Sequence, residues 1–336
     1  MNIPNVFNTD AFTDISMTAF VNKIDYTPGR IREMGLFTSE GIETTKPMIE
    51  EFEGQLTLVP ATPRGAPPAI ASEEKRKARL FNVTHLQKER TINSESVQDV
   101  RAHGSQSLET WEAVVKRYQK SITRDIEATI ENLCLGALTG VILDADGSTE
   151  IYNLFTEFEV AQLDEVDFEL DDANTDVRMK CQAIRRSIAK ELGAYSQGRF
   201  QIHAFCGDTF YDALIGHADV KTAYERWQVG SALREDYTYD RFQFAGIVFE
   251  NYRGSDDGTS IAIDVDKAII FPRIPEIYQL YFGPADFLDS VNQVGLPLYS
   301  RLALDKELNR WAKVHVQSNP LPLCTIPRVL MKAKRC

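Results

Sequence analysis

Trp111-Glu-Ala-Val-Val-Lys-Arg-Tyr-Gln-Lys-Ser-Ile-Thr-Arg-Asp-Ile-Glu-Ala-Thr-Ile-Glu-Asn-Leu133 is the most strongly periodic part of the chain. With Leu108 ahead of it, apolar residues fall at Leu108, Trp111, Val115, Tyr118, Ile122, Ile126, Ile130 and Leu133. Steps of three and four put them on one side of an α-helix. The reverse face is charged, with Glu112 and Lys116 spaced i,i+4 in the favourable order. Ser105 or Ser107 can cap the start, and Gly136 or Gly140 can end it. At 1.5 Å per residue, positions 108 to 135 form a rod of about 40 Å, well above the mean helix length. Such a rod spans a domain as its spine, with Leu108, Trp111, Val115, Tyr118, Ile122, Ile126 and Ile130 expected in the core.

Ahead of the spine, residues 46–103 read as a long two-armed extension. Gly54-Gln-Leu-Thr-Leu-Val-Pro60 is one expected strand, 61–71 a Pro- and Gly-containing turn, and Leu80-Phe-Asn-Val-Thr-His-Leu86 the returning strand. Between the arms, Glu73-Glu-Lys-Arg-Lys-Ala-Arg79 is either a solvated charge run or a contact with an acidic partner surface. A hairpin this long has too few neighbours to be stable alone in water. Leu56, Leu58, Arg64, Lys75, Arg76, Lys77, Arg79 and Phe81 are therefore candidate interface residues. Residues 1–45 carry Phe7, Phe12, Phe20, Ile24 and Leu36 without sustained period. They read as an N-terminal arm that lays its apolar side chains on another surface.

Beyond the spine, Thr139–Leu143 and Glu150–Phe155 read as strands around a tight turn containing Asp144 and Asp146. Val177, Cys181, Ile184, Ile188 and Leu192 mark a second amphipathic helix. Phe200–Cys206 is a buried strand, Asp208–Ile215 and Ala218–Trp227 are short helices, and Phe242–Tyr252 is a strand. Pro-punctuated extended segments close the chain, implying a sheet whose last strands come from far away in sequence. The class is α+β. The expected segments are an arm at 1–45, an extended loop at 46–103, and further segments at 104–198, 199–290 and 291–336.

The chain has 37 basic and 49 acidic residues, a formal charge of −12, which argues against general attraction to nucleic-acid phosphates. No apolar run approaches the roughly 20 residues of a membrane span. Residues 1–14 lack a basic region followed by an apolar one, so the chain is expected to be cytoplasmic when made. Cys134, Cys181, Cys206, Cys324 and Cys336 form no C-x-x-C pair and read as reduced residues. Dinucleotide, P-loop, zinc-protease and nucleophile-elbow motifs are absent. His85, His103, His203, His217 and His315 are spread over separate elements. Catalytic, cofactor-binding and metal residues are each assigned as none.

The order of arm, two-stranded loop, single long helix, mixed domain and returning strands resembles the tailed-phage major capsid protein fold, the Hong Kong 97 fold. More narrowly, the chain resembles the lambda-type major capsid protein E family. The likeness is carried by the Met48–Arg101 loop with Leu56-Thr-Leu-Val-Pro60, by Phe81-Asn-Val-Thr-His-Leu-Gln-Lys-Glu-Arg90, and by the Trp111–Leu133 helix. Phe205-Cys-Gly-Asp-Thr-Phe-Tyr211, Phe282-Gly-Pro-Ala-Asp286 and Leu296-Pro-Leu-Tyr-Ser300 complete it. The resemblance implies a peripheral domain on the spine helix (104–198), an axial domain (199–290), C-terminal strands returning to the peripheral domain (291–336), and a loop overlapping the next subunit. It also implies hexamers and pentamers closing an icosahedral head around double-stranded DNA held non-specifically, assembled in the bacterial cytoplasm. Scaffold, portal and decoration proteins are the further partners implied, with no cofactor, no enzyme activity and no membrane. Two other readings compete with it: an encapsulin-like nanocompartment, and a metal-dependent hydrolase using Asp144 and Asp146 or Asp256 and Asp257.

Overall fold

The computed structural model describes residues 14–22, 29–52, 76–96, 110–193, 200–221, 223–224, 241–254, 261–308 and 310–336. In chain order its helices are α1 (Asp14–Val21), α2 (Arg30–Glu33), α3 (Trp111–Thr139), α4 (Leu154–Glu157), α5 (Val177–Leu192) and α6 (Asp208–Gly216). The spine, α3, has 29 residues and is about 43 Å long. Thr110 caps it, its hydroxyl accepting the Ala113 N–H at 3.3 Å. Ser105 and Ser107, expected in that role, lie outside the described residues. Gly136 stays within the helix, where an added Cβ would come 2.9 Å from the Ile142 Cα. Gly140 ends it in the left-handed region, at φ +83°, with the Phe155 ring where a side chain would sit.

The chain divides into two compact units, each discontinuous in sequence. Unit 1 comprises Met1–Pro47, Phe81–Leu133 and Gln279–Pro322. One of its sheets has the order β13 (Tyr299–Leu304), β14 (Trp311–Ser318), β4 (Leu86–Asn93), with antiparallel neighbours throughout. A second has the order β1 (Thr38–Gly41), β12 (Tyr278–Phe282), β15 (Pro320–Cys324), with β1 and β12 parallel. α1 lies along β13, where the Thr18 hydroxyl donates to the Ser300 carbonyl at 3.2 Å and Asn22 donates to the Leu298 carbonyl at 2.8 Å. Ile31, Leu36, Ile92, Val314 and Val316 are fully buried with the apolar face of α3.

Unit 2 comprises Met48–Leu80, Cys134–Tyr278 and Leu323–Cys336. Its centre is a six-stranded sheet in the order β7 (Val166–Asp167), β16 (Met331–Lys334), β11 (Lys267–Arg273), β8 (Gln201–Cys206), β10 (Ile247–Asn251), β9 (Arg241–Phe244). β8 and β10 are parallel, as are β7 and β16. Ile202 to Cys206 are all buried, as a strand covered on both faces requires. Phe168, Phe205, Phe210, Phe242, Phe249 and Phe271 fill the core, with Phe168 and Phe210 edge to face at 5.3 Å between ring centroids.

Four sequence expectations change here. Phe242–Tyr252 is not one strand but the hairpin β9–β10, turned by Ala245 and Gly246 at positive φ. The described arms of the long loop are β2 (Met48–Phe52) and β3 (Arg76–Leu80), so part of the charge run itself forms a strand. Residues 81–85, placed in the returning strand, are instead an extended connection to β4. The final strand, β16, expected with the other C-terminal strands in the peripheral domain, enters the sheet built around 201–273.

Candidate functional site

The surfaces that stand out are apolar and exposed. On the β2–β3 hairpin, Met48 and Leu80 are 60% and 68% exposed and lie directly opposite each other in register. The next pair is anchored. Ile49 is buried, and the Arg79 guanidinium lies 3.7 Å from Glu159 and 5.4 Å from the centroid of the Phe158 ring. Arg79, expected at an interface, thus fixes the foot of the hairpin to its own unit. Phe81, also expected there, is 1% exposed and belongs to the core of unit 1. Arg76 and Lys77 are on β3. Leu56, Leu58, Arg64 and Lys75 lie outside the described residues.

On the spine, Val115, Ile122, Ile126 and Ile130 are buried, whereas Trp111 and Tyr118, expected in the core, are half-buried. Leu108 lies outside the described residues. The Tyr118 ring holds the Arg90 guanidinium at 4.2 Å, so its face is turned toward a cation at the surface. Not every polar residue of the spine is at the surface. Gln119, Thr123, Glu127 and Glu131, each four residues from the next, form a buried polar seam. Gln119 donates to the Ser300 hydroxyl at 2.9 Å. The Glu131 carboxylate accepts the backbone N–H groups of Ile31 at 2.7 Å and Arg32 at 3.4 Å, the open donors at the start of α2. Gly29 is required beside it, because a Cβ there would meet the Glu131 carboxyl at 2.3 Å. The i,i+4 spacing of these four residues was visible in the sequence, but their burial depends on what packs over them.

A groove of about 800 Å³ opens in unit 1 between α1 and residues 287–301. Ile15, Phe287, Val294, Leu296, Pro297 and Tyr299 give it an apolar lining. Arg301 fixes its walls, pairing with Asp14 at 3.4 Å and with Asp289, and stacking on the Phe287 ring at 3.9 Å. The rim from Val294 to Leu296 is seated by two glycines. A Cβ on Gly41 would lie 2.2 Å from the Gly295 carbonyl, and one on Gly295 2.0 Å from the Phe282 carbonyl.

The titratable groups have structural work. His203 and Glu250, buried on neighbouring strands of unit 2, bond at 3.0 Å, a pairing the sequence spacing did not reveal. His217 bonds the Asp172 carbonyl at 3.0 Å, His85 bonds Asn319 at 2.9 Å, and His315 packs on Phe287. His103 lies outside the described residues. In the β5 (Val141–Leu143) to β6 (Glu150–Asn153) turn, Asp146 accepts the Thr149 and Ser148 hydroxyl and N–H groups. The Thr149 hydroxyl above all holds its carboxyl well below the usual range. Burial pushes the Cys181 and Cys324 thiols up to about 12, while Cys336 is exposed. Among the described residues there is no cluster of three or more His, Cys, Asp or Glu able to hold a metal, and no helix long and apolar enough to cross a membrane. Asp256 and Asp257 lie outside the described residues.

A single spine helix, a two-stranded loop and a mixed sheet domain define an α+β capsid subunit of Hong Kong 97 type. The capsid of Myoviridae phage XM1 has the same fold, with a TM-score of 0.51 at 10% identity, covering 100% of this chain and 99% of that one. The particular family follows from the sequence: the model of phage major capsid protein E matches residues 15–335, and the chain belongs to that family. It is 25% identical to the major capsid protein of Pseudomonas phage KPP10, over 99% of each chain. It is 26% identical to that of Salmonella phage Felix O1, over 95% of each. Its function is that of a tailed-phage major capsid protein, and these relatives favour the virion shell over a nanocompartment or a metal hydrolase.

Proposed function

We propose that copies of this chain associate into hexamers and pentamers that close an icosahedral head, and that the head encloses double-stranded DNA without reading its sequence. The chain acts in the virion as structure, not as a catalyst. Assembly takes place in the host cytoplasm, with scaffold, portal and decoration proteins as further partners. Unit 2, with its six-stranded sheet, supplies the axial part and unit 1 the peripheral part. One observation carries this reading beyond family membership: large apolar side chains are exposed together on the hairpin and around the unit 1 groove. Contiguous apolar surface of this kind marks contact sites. A formal charge of −12 also suits a container whose wall must not grip phosphate strongly.

The test is electron microscopy and sedimentation of the purified, overexpressed chain. Closed shells of uniform diameter are expected. A monomer that persists at high concentration, with or without co-expressed neighbours from the same genome, would remove the reading. Protein cargo in place of DNA within particles from infected cells would shift it to a nanocompartment.

A further inference from the structure

We propose that α1 is a removable cover on the outer edge of β13, and that the edge beneath it, once uncovered, adds a strand: β13 of a second copy. The inference goes beyond the shell reading. It concerns a contact that stays closed within the single subunit, whatever container the copies form.

The edge itself is the first observation. Among the described residues β13 has a strand neighbour on one side only, β14, so its other row of backbone groups faces away from the sheet. An open row of this kind is a template for another strand. The Thr18 hydroxyl fills it at Ser300, donating to the carbonyl and accepting the N–H, each at 3.2 Å. Those are the two bonds that a residue of an added antiparallel strand would make. Two residues back along the edge, the Asn22 side chain donates to the Leu298 carbonyl at 2.8 Å. A helix thus stands where a strand would fit, and side chains satisfy the edge.

The second is how lightly the helix is held. α1 has eight residues and buries only Met17 and Val21, with Ile15 84% exposed. A helix this short is marginal by itself, so its contacts keep it in place. Besides Thr18 and Asn22 these include the Asp14–Arg301 ion pair at 3.4 Å and the Gln119 amide on the Met17 sulfur at 3.4 Å. Most are polar bonds that water replaces at small net cost.

The third observation names the occupant. On β4, the other edge of the same sheet, Gln87, Lys88, Glu89 and Arg90 are all exposed, and such charges discourage pairing. β13 carries one charge, Arg301, beside Leu302, Ala303 and Leu304, and has no comparable guard of its own. Two copies of β13 laid antiparallel are related by a two-fold axis, so the uncovered edge is complementary to itself. With Leu302 on that axis, Arg301 meets Ala303 and no like charges are opposed. Because Ser300 faces outward, strand alternation turns the Leu302 backbone groups outward as well, where the second copy engages them.

The experiment weakens the hold in the full chain with Thr18→Val and Asn22→Ala together, and follows association by sedimentation and electron microscopy. Irregular, concentration-dependent aggregates are expected from this variant. None are expected from the unaltered chain or from Thr18→Ser, which keeps the hydroxyl. Adding Leu302→Pro removes an outward N–H, leaves the ladder to β14 intact, and should abolish the aggregates. Their absence from the first variant, or their persistence with the proline, would overturn the proposal. A second measurement uses the unaltered chain: hydrogen exchange in rising, sub-denaturing urea should open the Ser300 amide together with α1 and before the amides of β14. A Ser300 amide that outlasts α1 would also overturn it. Closed shells in the same micrographs bear on the shell reading alone.

Discussion

Ile122 sits in the middle of the spine at 2% exposure, and its burial ties the helix face to the core of its unit. Replacing it by Ala removes three carbons and leaves a cavity, at a cost of about 2–5 kcal/mol. A urea titration should show the midpoint fall by a corresponding amount, and an unchanged midpoint would mean that the side chain contributes no packing. The periodicity of the sequence located this residue. It located Trp111 and Tyr118 on the same side of the helix, but not their half-buried state, because a helical wheel gives direction and not the extent of the covering surface. Glu131 was illegible for the converse reason. A carboxylate on a charged-looking face reads as solvated until the backbone N–H groups of Ile31 and Arg32 are brought to it from a hundred positions away in sequence.

At the scale of elements, the hairpin shows how sequence patterns mislead at boundaries. Arg76–Leu80 pairs with Met48–Phe52 despite its charges, because the ladder of an antiparallel ribbon is made by backbone groups that every one of these residues carries. Lys75→Glu, Arg76→Glu and Lys77→Glu together should leave the chain folded and impair particle formation, as counted by electron microscopy. Arg79 is left intact in that variant because it holds Glu159. Normal particle yield would show that these charges meet nothing across copies.

The last strand, β16, has an electrostatic tie of its own, Lys334 to Asp167 at 2.8 Å. The Lys334 hydrogen bond holds the Asp167 carboxyl below its usual 3.8, and the same bond raises the Lys334 ammonium above its usual 10.5. The aspartate's contribution to stability is present above pH 3.8 and lost as pH falls through the lowered value. The lysine's is present below pH 10.5 and lost as pH rises through the raised one. Thermal unfolding across pH should therefore show Asp167→Asn flattening both limbs. An unchanged profile would show that the pair is fully screened at the surface.

For the whole molecule, ending the chain after Leu330 removes β16 from between β7 and β11, leaving β7 without a strand partner in the sheet and β11 paired with β8 alone. Loss of soluble protein and of particles is expected, and normal shells from the shortened chain would mean that the sheet closes without it. The spine helix, the helix at Val177–Leu192 and the buried strand at Gln201–Cys206 were legible from residue types, because amphipathic period and turn chemistry are local properties. So was the resemblance to the capsid family. Only the tertiary structure decided that Phe81 is buried in its own unit, that Arg79 pairs with Glu159, that the spine carries a buried polar seam, and that residues 14–22 and 287–301 together make a groove. Each of these depends on segments far apart in sequence meeting in space, and neither helical nor strand periodicity carries information about which distant segment will arrive.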